Sequence, residues 1–451
     1  MKLYIHLILT LLILSSCSLL QEPEVPCPPA GDGIMLSFRI NTQESGLQSR
    51  DDDHGHTEVE SEYRQFEDGI DLHDIGMFIF AKMADAPGEE KLIVKVVDIA
   101  TSFKSDNMEV SGGPGFYTVN ITLLRQQLND ILGTEITPAG TARVQFRILM
   151  LVNSSTKGTG AGGSLSQYRW NRIDGNTYSS IIADNDHGLG SWTYTMGYLC
   201  NFNNENNMDE QTEKASITDL YPNPTGRPYI PMFGTMIQTV SQSVLYNSRP
   251  DNRVFLGELD MLRAVAKVRV VDNIDNKNAD GYPKIVNAAL IGSQSYLCPV
   301  PNGALTYQNG TQVHTPRLAN PEYESNDINK FTYRLGVMPA AWTDLPPTAY
   351  RGEIFAGYIP EMGIFHINND VNQGLPLFRI SVAISKDSDG KEIIKLYEVP
   401  MTAYSGENFE FGNAILRNHI YTLSVKHVNN SDLILNVAVK DWRTISYQYE
   451  Y

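Results

Sequence analysis

Residues 143–152 read RVQFRILMLV, and the fold class turns on them. The run opens as an alternation, with Val144, Phe146 and Ile148 apolar between Gln145 and Arg147, and ends apolar throughout. It has the length of a strand and the branched side chains that suit a pleated surface. Outward from it, runs of the same kind recur between breaks of Gly, Pro, Asn and Asp. Before it come IMLSFRI (34–40), IGMFIFA (75–81), LIVKVVDIA (92–100) and FYTVNITLL (116–124). After it come LRAVAKVRVV (262–271), KIVNAALIG (284–292), FRISVAIS (378–385), EIIKLYEVP (392–400), HIYTLSVKHV (419–428) and LILNVAVKDW (433–442). SKDSDGK (385–391) sits between two such runs and predicts a hairpin turn.

Helical signals are sparse. LLRQQLNDILG (123–133) has apolar residues at helical spacing and a Gly stop, and QTEKASITDLY (211–221) is a second short candidate. The polar stretches 153–190 and 200–230 read as loops on a β scaffold rather than as core. A break near 240–255, SQSVLYNSRPDNR in its centre, divides the chain into two β-rich parts of similar size. The expectation is an all-β chain of two β-sandwich domains in series, 34–245 and 246–451, with a few short helices.

The ends bound the compartment. Lys2 is followed by an apolar run, LILTLLIL (7–14), too short to span a bilayer but fitting the core of a signal peptide over residues 1–16. It ends in LSSC (14–17), which resembles a lipobox and makes Cys17 the candidate lipidation site. Residues 17–33 then read as a Pro- and Gly-rich tether. No later segment is long and apolar enough to cross a membrane as a helix.

With 451 residues and 42% hydrophobic side chains, the chain can build two or three cores. Its net charge of −17 argues against nucleic acid or an anionic membrane surface as partner. Cys27, Cys200 and Cys298 make no metal-ligand spacing; Cys200 and Cys298 are either a disulfide or two buried thiols.

Motifs that carry chemistry are weak. DDDHGH (51–56) has metal-binding residue types but reads first as a solvated charge run. KGTGAGG (157–163) lacks the Lys after its last Gly that a phosphate loop needs. DSDG (387–390) has only the start of a calcium loop. The Asn-x-Ser/Thr triplets at Asn120, Asn153, Asn309 and Asn429 read as chance matches, and no cofactor is expected. HExxH and GxSxG are absent, and a carboxylate pair is the route left open to a surface hydrolase.

Three segments resemble the fimbrillin (Mfa-like) pilins of Bacteroidales: IPMFGT (230–235), LRAVAKV (262–268), and RNHIY (417–421) followed by VKDW (439–442). Their order and spacing agree with the family. The resemblance implies two transthyretin-like sandwich domains and export to the outer membrane as a lipoprotein. It further implies maturation by an Arg-specific protease that removes the first strand, the vacated groove being filled by a strand of the next subunit. Arg50 and Arg64 follow the strand at 34–40 and are the candidate cleavage sites, Arg50 preferred for its polar surroundings.

The candidate donor is Arg443–Tyr451, in which Ile445, Tyr447, Tyr449 and Tyr451 share one face of an extended chain. Strand donation satisfies an exposed edge and an apolar slot together. Repeated head to tail, it gives a filament. The implied partners are other fimbrial subunits, the outer membrane through a lipid, the protease, and a host or bacterial surface ligand of unknown kind. Stalk, tip and anchor roles stay open. A monomeric glycan-binding surface lipoprotein is the alternative from another class.

Overall fold

The computed structural model describes residues 33–42, 68–72, 74–97, 108–154, 172–183, 187–192, 194–195, 202–203, 229–291, 296–301, 306–308, 311–313, 332–334, 336–337, 353–361, 377–400, 415–429 and 432–441. Among them the chain is β-rich throughout, as the repeated runs predict. The principal strands are β1 (Gly33–Asn41), β2 (Ile75–Met83), β3 (Lys91–Val97), β4 (Met108–Gly113), β5 (Phe116–Leu124), β6 (Arg143–Val152), β7 (Met232–Ser241) and β8 (Val254–Asp260). They continue with β9 (Val265–Asp272), β10 (Lys284–Ile291), β11 (Glu353–Pro360), β12 (Leu377–Lys386), β13 (Glu392–Pro400), β14 (His419–Val428) and β15 (Leu433–Asp441).

The first half forms two sheets. One runs β8-β1-β5-β4; the other runs from the short strand Leu262–Arg263 through β7, β6 and β2 to β3. Their facing rows enclose one core. Ile34, Leu36, Phe38 and Ile40 of β1 and Val119 and Ile121 of β5 meet Met77 and Ile79 of β2 and Val144, Phe146 and Ile148 of β6. The helix α1 (Arg125–Leu132) adds Leu128 to this core and stops at Gly133, whose φ of 66° is the left-handed turn that glycine adopts without strain.

The apolar ends of the β2 and β6 runs have a second cause. Phe78, Phe80, Leu149 and Leu151 point away from the main core into a separate buried cluster with Ile173, Ile181, Leu189 and Trp192. The first three of those partners belong to the stretch 153–190, read from sequence as loop without core. The correction is physical: once its inner face is filled, the second sheet still carries an apolar outer row, and the segment between β6 and β7 covers it. Short elements do this, including α2 (Tyr178–Ile182), whose first turn is capped by Thr177 and Ser180.

The second half is built on two five-stranded sheets. One passes from Gly336–Val337 through β11, β9 and β14 to β15; the other runs β13-β12-β10 and continues through Thr332–Arg334 to Phe202–Asn203. The predicted hairpin is present: Asp387 Oδ1 accepts from the Asp389 and Lys391 N–H groups between β12 and β13. The run 262–271 is not one strand. Leu262 and Arg263 pair with β7 in the first half, and the chain breaks at Ala264 to begin β9 in the second. The passage between halves therefore lies at 262–265 and not at 245/246. Residues 254–263 belong to the first half because β8 pairs with β1.

Candidate functional site

β1 is the first strand in the described chain and sits inside its sheet, not at an edge. Antiparallel β5 pairs with it along its full length, Gly33 opposite Leu124 to Asn41 opposite Phe116. On its other side β8 runs parallel to it, a pairing possible only because the rest of the first half lies between the two in sequence. The parallel register shifts between Ser37 and Arg39, where β8 accommodates an extra residue at Gly257 with φ 115°.

The period of two divides β1 cleanly. Ile34, Leu36, Phe38 and Ile40 face the core and are at most 1% exposed. On the outer side Arg39 pairs with Glu258 at 2.9 Å and lies over the Phe116 ring, with both charged side chains close to half exposed. Burying four such side chains contributes on the order of 10 kcal/mol before ordering costs. Taking β1 away would bare a row of N–H and C=O groups on both β5 and β8 and an apolar slot between them.

At the end of β1 the chain enters a tight polar knot. Thr42 N–H donates to the Gly115 carbonyl at 3.0 Å, and Thr42 Oγ1 donates to the Asp68 carbonyl at 2.7 Å. Arg263, fully buried, donates from Nη2 to the Thr42 carbonyl at 2.6 Å and to the Asp68 carboxylate. Further on, the Ile70 N–H donates to the Tyr117 hydroxyl at 3.1 Å. Burial, together with the negative charge of Asp68 nearby, pushes that phenol up to about 12. Asn153 holds the Gly69 and Ile230 carbonyls through Nδ2 and accepts from the Asp71 N–H through Oδ1. It is fully buried with φ 57°, so this Asn-x-Ser triplet is a structural joint rather than a surface acceptor.

The other motif residues are also structural. At Gly234 an added Cβ would stand 2.7 Å from Met261 Sδ and 2.9 Å from the Asp260 carbonyl, so glycine lets β7 pass close to the end of β8. Arg417, fully buried, meets the Glu361 carboxylate at 2.8 Å and donates to the Cys298 and Pro299 carbonyls. The Leu416 N–H donates to the Tyr421 hydroxyl at 2.8 Å, and burial pushes that phenol upward.

Cys17, Arg50, Arg64, Ile445, Tyr447, Tyr449 and Tyr451 all lie outside the described residues, as do the stretches 51–56 and 157–163. What the structure places is their setting: Arg50 and Arg64 fall between Thr42 and Asp68, and the C-terminal segment comes after β15 in sequence. Sequence reasoning missed Thr42, Asp68 and the pinning role of Arg263. An Arg within the apolar run LRAVAKV is the available signal, since a buried guanidinium needs acceptors, but nothing in sequence names them. Among the described residues no group of three or more His, Cys, Asp or Glu is placed to hold a metal ion.

No family model and no curated protein matches the chain. Its neighbours among solved structures are fimbrial and cell-adhesion proteins. One is a fimbrial assembly protein from Parabacteroides distasonis, at 10% identity over 90% of this chain and 99% of that one, with a TM-score of 0.35. Another is a fimbrilin from Porphyromonas gingivalis, at 12% identity over 91% of this chain and 98% of that one, with a TM-score of 0.36. Likeness at that level carries no weight for function; the surroundings of β1 do.

Proposed function

We propose that the chain is a structural subunit of a cell-surface fimbria, assembled by strand exchange and serving adhesion rather than catalysis. The observation that carries this reading is the position of β1. It is an interior strand whose apolar face completes the core, yet it is first in the sheet's chain order and is followed directly by the segment containing Arg50 and Arg64. One cut in that segment would make β1 a separate peptide, replaceable without breaking any other connection of the sheet.

The C-terminal segment supplies a sequence pattern of the right kind. Ile445, Tyr447, Tyr449 and Tyr451 repeat the spacing of Ile34, Leu36, Phe38 and Ile40. A strand of that period, lent by a neighbouring subunit, would satisfy both bared edges and fill the slot. In this reading Cys17 carries the lipid that holds the precursor at the outer membrane, an Arg-specific protease frees it, and two successive sandwich domains dividing at 262–265 form the repeating unit.

The test is trypsin treatment followed by N-terminal sequencing and electron microscopy. A new terminus at Asp51 or Gln65, fibres in the matured sample, and no fibres after deletion of Arg443–Tyr451 are expected. Matured protein that stays monomeric at every concentration overturns the reading.

A further inference from the structure

The two banks of the segment 43–67 are tied to each other independently of the chain between them. Thr42 on one bank and Asp68 on the other are joined directly, through Thr42 Oγ1 and the Asp68 carbonyl. Both are also held by one side chain, Arg263, which takes the Thr42 carbonyl and the Asp68 carboxylate on the same nitrogen. Gly115 fixes Thr42 from the β5 side, its N–H donating to Thr42 Oγ1 at 3.1 Å. Tyr117 and Asn153 fix residues 69–71 from theirs. A cut anywhere between 43 and 67 removes none of these bonds.

We propose that Arg263, with Thr42 and Asp68, is a latch that keeps β1 seated after the chain has been cut, so that β1 leaves by displacement and not by cleavage alone. The latch takes its purpose from the strand-exchange reading. Arg263 is a positioning residue: it acts on β1 only through the backbone carbonyl that follows the strand. Loss of that carbonyl leaves a buried guanidinium short of an acceptor, which opposes departure of β1 until another strand offers a carbonyl in its place. Because the acceptor is backbone, the latch reads where an incoming strand stops and not its side chains. Arg263 stands at the passage between halves, one residue from Ala264, so the seat of β1 is tied to the start of β9.

The experiment uses the full chain with a recognition sequence for a site-specific endoprotease added between residues 50 and 64, cut to completion. Size exclusion and mass spectrometry track the N-terminal fragment with time. The unsubstituted protein should retain the fragment, and Arg263→Gln should release it at least tenfold faster. Thr42→Val, which removes the Oγ1 bonds and leaves Arg263 in place, should also speed release and decides the matter if Arg263→Gln does not fold. Equal release rates from the substituted and unsubstituted proteins overturn the latch. Electron microscopy of the same cut samples separates the two ideas: fibres with equal release rates sink the latch alone, and faster release without fibres from any sample sinks strand exchange alone.

Discussion

Each half of the molecule opens with a strand in the same topological slot, and the two strands are held in opposite ways. β1 lies between an antiparallel neighbour, β5, and a parallel one, β8; β9 lies between antiparallel β11 and parallel β14. In β1 one face is apolar and the other bears Arg39 in water. In β9 every residue from Val265 to Val271 is buried, Lys267 and Arg269 included. The chain enters β9 from Arg263, itself buried in the first half. The slot is the same; what differs is whether the strand in it can be parted from the rest by one cut. Replaceability is a property of where a strand sits in the sequence as much as of how it packs.

The comparison breaks hardest if the second half tolerates losing the ion pair beside its β9 sheet. Arg417→Met removes the buried guanidinium that meets Glu361 and that donates to the Cys298 and Pro299 carbonyls, and should cost about 4 kcal/mol in urea unfolding of the uncut chain. A loss below about 1 kcal/mol would show that pair to be worth no more than an exposed one. Next comes Phe38→Ala, which opens a cavity under β1 and should cost about 3 kcal/mol, read as lost amide-exchange protection confined to the first half. Loss spread evenly over both halves would show that the slots are not independent.

Asn153→Ala should cost about 2 kcal/mol, because the Gly69 and Ile230 carbonyls lose their donor and a φ of 57° is strained for alanine. Next comes the effect of the two buried phenols, one per half, which shows as a pH dependence only in alkali. Tyr117 is raised from 10 to about 12 and Tyr421 is raised as well, both by burial first. A raised phenol contributes fully below about pH 10, and its contribution is lost as pH climbs through the folded value. Stability should therefore fall between pH 10 and 12, and Tyr117→Phe should flatten part of that fall. Smallest is Arg39→Ala: its exposed pair with Glu258 should be worth less than about 1 kcal/mol and should weaken with salt.

Much of the fold was legible because sheets impose a period. β5, β6, β13 and β14 begin and end where their runs do, at 116–124, 143–152, 392–400 and 419–428. β4 was missed because MEVSGG has little apolar content; it is an edge strand with one partner, β5. β8 was missed because VFLGELD is interrupted at Gly257, the residue that lets it shift register against β1. The outer cluster around Trp192 was illegible for a different reason: its residues lie far apart in a polar stretch, and only the uncovered face of the second sheet makes them core. Of the candidate site, β1 and its alternation were readable. The knot at Thr42, Asp68 and Arg263 was not, since Arg263 lies 195 or more residues from both partners.

The outer cluster has a mechanical consequence. Besides the backbone at Ala264, the halves are bridged by Tyr194–Thr195 paired with Tyr296–Leu297, and by Phe202–Asn203 paired with Thr332–Arg334. Val300 belongs to the cluster that holds Leu149 and Trp192. A pull applied to β15 therefore has several paths to β6, through short ladders and the shared cluster as well as along one peptide. Tension is shared among them, and the hinge that a single linker would create is stiffened.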